Sequence, residues 1–146
     1  MTLEETGMTP DAVIRSWFKE VWNDGDENAI DRLFAHDGIA HGLPAADGNP
    51  LSGPSAFKPF VKHFRTAFPN MRIEVLRTIT EGQYVCAHCR VTGTHSGPGF
   101  GPAPTHGPID FSGMSIVRVE NDTIKEGWNS FDFMSMYQQI QLMPKI

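Results

Sequence analysis

Two stretches hold most of the side chains able to do chemistry, QYVCAHCRVTGTH (83–95) and TIKEGWNSFDFM (123–134). Both alternate as strands do, so residues two apart share a face. From Ile124, period two carries Glu126, Trp128, Ser130 and Asp132 onto the face of Val117 and Val119, with Phe111 and Ser115 further along it. In the first stretch, Ile73, Val75 and Ile79 pair onto the face of Tyr84, Cys86, His88, Arg90 and Thr92. With the apolar members turned inward, the interior is predicted to receive His88, Arg90, Glu126 and Asp132. Buried charge is costly unless it is paired or used. Used, these groups would move protons; paired, as Asp132–Arg90 or Glu126–Arg90, they would only hold the fold. Glu126 reads as structural.

Other chemistry-bearing residues read more plainly. Cys86 and Cys89 form a C-x-x-C around His88, but in strand-forming sequence the two sulfurs point to opposite faces. There is no second cysteine pair to complete a zinc site, and six histidines show no ligand spacing, so no metal is expected. His41 falls at the edge of a Pro/Gly-rich loop, a plausible pocket mouth. His95 and His106 read as exposed loop residues, and His36 and His63 as helix-end or surface residues. GPGFG lacks the third glycine and the following helix of a dinucleotide fingerprint. Trp17 can stack on a flat ligand or simply fill the core, and Trp128 is assigned to the pocket.

These side chains need a scaffold. Thr9-Pro10-Asp11 reads as a helix cap with Pro at the first position, and Val13, Ile14, Trp17, Phe18 and Val21 extend the helix to about Trp22. Asp26 caps a short second helix, and a brief strand follows at 38–41. Phe57, Phe60, Val61, Phe64 and Ala67 mark a third helix over 55–67, with Pro59 near its start. Strands are predicted at 71–80, 83–95, 109–120 and 123–134, with hairpin turns at Glu81-Gly82 and Asn121-Asp122, and a last helix at 135–142. Helices first and an antiparallel sheet after them make an α+β chain.

The 146 residues suit a single domain, with its core over about 9–142. Such a length buries enough surface to need no disulfide or metal staple. A net charge of −5 without a basic cluster argues against nucleic acid. No apolar run is long enough for a membrane span, and the first residues lack a secretion-signal pattern, so a cytoplasmic location is expected. Met114, Ile116, Phe131 and Phe133 are predicted on the outer sheet face, where a second copy would cover them.

The segments WNDGDENAIDRLFAHDGIAHG, AFPNMRIEV, EGQYV, VTGTHSG and IKEGWNSFDFMSMYQQI together resemble the SnoaL-like polyketide and ester cyclases. The likeness runs from about Thr9 to Ile140. It implies the cone-shaped nuclear-transport-factor-2-like (cystatin-like) fold, with three N-terminal helices laid on a curved antiparallel sheet. It implies a cofactor-free enzyme closing a ring on a small hydrophobic or polycyclic carbonyl compound by aldol-type chemistry. Asp132 matches the acid/base position of the family's W-x-x-x-D stretch. With Asp132 in that role, His88 or Arg90 would donate to the oxyanion, and Trp128, Ser115, Ser130, His41, Trp17 and Phe111 are the expected substrate contacts. Ser115 and Val117 stand where many relatives carry an acidic residue and a His, which keeps open a non-catalytic binding or accessory protein of the same fold, or a hydrolase or dehydratase variant.

Overall fold

In a computed structural model, residues 7–144 are described. Helix α1 (Pro10–Ser16) begins at Thr9, whose hydroxyl caps Ala12 N–H, and runs directly into a π-helical segment (Trp17–Asn23). Helix α2 (Glu27–Leu33) is capped by Asp26 as the sequence predicts. Strand β1 (Phe34–His41) starts earlier than expected, because Phe34 already has extended backbone. The Pro/Gly-rich loop hides a two-residue strand, β2 (Leu51–Ser52), which leads into helix α3 (Gly53–Ala67) with Pro59 inside it. Strands β3 (Arg72–Glu81), β4 (Tyr84–Thr94), β5 (Pro108–Glu120) and β6 (Thr123–Phe131) follow, and helix α4 (Phe133–Gln139) ends the set. The β5–β6 hairpin turns at Asn121 and Asp122, both at positive φ, the mirror-image turn that suits strand twist.

The six strands form one sheet in the order β2-β1-β6-β5-β4-β3. All pairs are antiparallel except β1 with β6, which is parallel. The helices cover one face, so a single apolar core lies between Trp17, Trp22, Phe57 and Phe64 on the helical side and Ile73, Val91, Phe111 and Val117 on the sheet side.

Two irregularities decide which side chains face that core. In β3 the register slips between Val75 and Arg77, so Ile73 and Val75 point inward while Ile79, 71% exposed, points out. The inner face of β4 is therefore Val85, Ala87, Cys89 and Val91, and Tyr84, Cys86, His88 and Arg90 lie outside. In β6 a second slip, at Lys125, separates Ile124 from the residues beyond it. Gly127, Asn129 and Phe131 turn inward; Glu126, Trp128 and Ser130 turn outward. Both face assignments made by uninterrupted period two are thus reversed, because one extra residue inverts every later side chain. Strand β5, which has no extra residue, keeps Phe111, Ser115, Val117 and Val119 inside as predicted.

Candidate functional site

Free space of about 650 Å³ lies between the helices and the sheet, counted to its open mouth. Its helical wall depends on the π-helical segment. Asp24 N–H bonds to Lys19 C=O five residues back, at 2.9 Å. Trp17 and Trp22, also five apart, then both reach the cavity, whereas on an α-helix they would sit about 140° apart. Trp17 meets Phe57 edge-on at 4.9 Å, and Trp22 meets Phe57, Phe60 and Phe64 at 5.9–6.1 Å. Such tilted and edge-on pairs lock the wall without filling the space.

The floor is the inner face of the sheet. Phe111, Ser115 and Val117 come from β5, and Gly127, Asn129 and Phe131 from β6. Gly127 leaves the floor low, and Phe131 and Phe133 close one end. Among the described residues, none that lines the cavity is ionisable, and Ser115 and Asn129 carry the only side-chain hydrogen-bonding groups of the lining besides the indole N–H groups. Ser115 is 3% exposed and sits directly opposite Asn129 in the β5–β6 ladder. Asn129 donates from Nδ2 to His41 C=O at 2.9 Å.

Of the residues singled out in the sequence, Trp17, Phe111 and Ser115 meet in this cavity. His41 and Trp128 meet on the other side of the sheet, their rings stacked at 5.9 Å, with His41 Nε2 2.7 Å from Glu126 Oε2. His88 is also outside, its Nδ1 accepting from Arg77 Nη1 at 2.6 Å. Arg90 makes a two-pronged pair with Asp110 at 2.6 and 2.9 Å, which replaces the predicted pairs with Asp132 or Glu126. Ser130 is exposed on the outer face. Asp132 lies beyond the strand, caps α4 and accepts from Ser135 Oγ at 2.6 Å and Ser135 N–H at 3.1 Å. The Ser135 hydroxyl, then its N–H, holds the Asp132 carboxyl below the usual carboxylate range, the direction opposite to that of a buried base.

Cys89 faces the core and burial pushes its thiol up to about 12, while Cys86 lies on the outer face, so the two sulfurs do diverge. His95, predicted on an exposed loop, is fully buried. Its Nδ1 accepts from Thr105 N–H at 3.3 Å and its Nε2 donates to Gly99 C=O at 2.9 Å, so the ring pins both arms of the 96–107 loop. Phe131 and Phe133, expected outside, line the cavity; Asn129 and the π-helical placement of Trp22 are the features sequence reasoning missed.

The sequence matches the SnoaL-like polyketide cyclase family over residues 12–140. The chain belongs to that family. Comparison with curated proteins gives no match. Among solved structures, this SnoaL-like chain is similar to IdmH, a candidate polyketide cyclase from Streptomyces antibioticus. The two are 26% identical, with a TM-score of 0.79 over 92% of this chain and 99% of that one. It is similar in fold to AclR, a candidate hydroxylase from Streptomyces galilaeus (20% identity, TM-score 0.80, 94% and 83% covered). A SnoaL-like polyketide cyclase from Agrobacterium tumefaciens shares the fold at 13% identity (TM-score 0.72, 93% and 99% covered). The nuclear-transport-factor-2-like fold expected of this SnoaL-like chain is the one observed, with helices on a six-stranded sheet. Among the described residues, no helix is long and apolar enough to cross a membrane.

Proposed function

We propose that this SnoaL-like chain takes a flat, apolar, carbonyl-bearing molecule of polyketide type into the aromatic cavity and closes a ring on it. The observation that carries the reading is the lining: tryptophan and phenylalanine on the helical wall, phenylalanine and two neutral polar side chains on the sheet, and no ionisable group among the described residues. An apolar chain folded between such walls has its reacting ends held together, and proximity of that kind supplies a large share of a ring-closing barrier. The wall itself offers no proton acceptor, so aldol-type chemistry with Asp132 as base has less support than confinement. Asp132 adjoins Phe131 and Phe133, but its carboxylate is occupied at the start of α4.

Incubation with a panel of aromatic polyketide esters, followed by native mass spectrometry and chromatography, tests the reading. Conversion is expected, and Asp132→Asn is expected to leave it within about twofold, since the loss of a positioned acid/base residue would cost about 10²–10⁴. Conversion abolished in a folded Asp132→Asn protein would restore the acid/base mechanism. Binding without conversion across the panel would favour the non-catalytic ligand carrier.

We also infer a homodimer through the outer sheet face. Ile79, Cys86, Ile116, Trp128 and His41 stand in one row across β3, β4, β5, β6 and β1, with exposed Tyr84 and Met114 beside it. An apolar row crossing four strands, with His41 at its end, is more than a lone surface hydrophobe, and a two-fold axis would set it against itself.

A further inference from the structure

The cavity floor contains one feature that hydrophobic packing does not account for. Ser115 is 3% exposed, yet its hydroxyl makes no hydrogen bond within the described residues. No fully enclosed side-chain nitrogen or oxygen among those residues lacks a partner, so this hydroxyl reaches the free space. In that free space the hydroxyl can donate to a ligand oxygen, a bond worth about 0.5–1.5 kcal/mol net. Directly across the ladder stands Asn129, whose amide is turned by the 2.9 Å bond from Nδ2 to His41 C=O. That bond uses one of the two amide N–H groups and leaves Oδ1 and the other N–H available. Residues opposite each other on antiparallel strands have Cβ atoms about 4.5–5.5 Å apart, close enough for one ligand oxygen to meet both.

We propose that Ser115 and Asn129 form the polar anchor of the cavity and that they select a ligand with an uncharged carbonyl oxygen on a flat apolar skeleton. This rests on the cavity being the ligand site. The Ser115 hydroxyl and the free Asn129 N–H donate to the carbonyl, while the rings of Trp17, Trp22 and Phe57 cover the skeleton. A carboxylate is rejected, because the lining contains no Lys, Arg or His to offset the loss of its hydration. The anchor also explains why the His41 end of β1 approaches so closely: Gly42, at φ +80°, lies where an added Cβ would be 2.1 Å from Asn129 C=O. The backbone that orients the amide leaves no room for a side chain.

The test is equilibrium dialysis of the intact protein against 2-acetylnaphthalene, 2-ethylnaphthalene and 2-naphthoate, which share one skeleton. The ketone is expected to bind about tenfold tighter than the hydrocarbon, the effect of two modest hydrogen bonds, and the carboxylate weaker than either. Ser115→Ala is expected to cut the advantage of the ketone to about threefold and leave the affinity for 2-ethylnaphthalene unchanged, and Asn129→Ala to do the same if it folds. Equal binding of ketone and hydrocarbon by the unmodified protein overturns the anchor, as does tightest binding of the carboxylate or an equal loss for both neutral probes in folded Ser115→Ala. If none of the three binds, the cavity reading fails and the anchor with it, an outcome distinct from binding without discrimination.

Discussion

Asp132 illustrates how a carboxylate takes its role from what it touches. At the first turn of α4 it accepts two bonds from Ser135, and its proton affinity falls. Removing the cap with Asp132→Ala is expected to lower stability by about 1 kcal/mol at pH 7. The sign of the pH dependence follows from the depressed carboxyl. The stabilisation is present above the ordinary value of 3.8 and disappears as the pH falls through the lower value in the folded protein. Thermal melts of wild type and Asp132→Ala should therefore stay apart above the ordinary carboxyl value and converge as the pH falls through the lower folded one, and a gap with no such pH dependence would assign the effect to something other than charge. The W-x-x-x-D spacing identified this residue from sequence, but its neighbour Ser135, which donates to its carboxylate, is an ordinary serine until the start of the helix is known. Ser115 was legible for a simpler reason: β5 alternates without interruption, so its inner face could be counted from Val117.

Elements were easier to read than faces. The periodicity of Phe57, Phe60, Val61 and Phe64 located α3, and the β-branched runs located the long strands, because those patterns come from burial itself. The slips at β3 and at Lys125 leave no comparable trace. The run Val85, Ala87, Cys89, Val91 was the available clue, an apolar alternation more consistent than the one containing Ile79. The π-helical segment was invisible because Trp17, Phe18 and Val21 also satisfy an α-helical pattern. Backbone approach gives a sharp test at this scale. Gly42→Ala meets both an unfavourable φ and the Asn129 carbonyl, and overpacking of that kind costs about 1–3 kcal/mol. A urea titration should show that loss, and ligand affinity should fall with it as Asn129 shifts. Unchanged stability would mean that the β1 end is free to move away.

The whole molecule presents two apolar surfaces of different kinds, an enclosed one around the cavity and an open one on the outer sheet face. The open face predicts association: sedimentation at micromolar concentration should give a dimer, and Ile116→Lys, which places a charge at the middle of the row, should give a folded monomer. A wild-type monomer would reject the interface. The enclosed face is built on a strand that can be read in two frames. Ahead of Lys125 one set of alternate residues faces the helices; behind it the other set does. Straightening the bulge with Lys125 still in the strand would shift the frame and exchange Gly127, Asn129 and Phe131 for Glu126, Trp128 and Ser130, replacing a neutral floor with an acidic one at a stroke. Whether that one bulge is kept or straightened thus decides the chemistry of the pocket, with the alternative set of side chains already encoded on the reverse of the sheet.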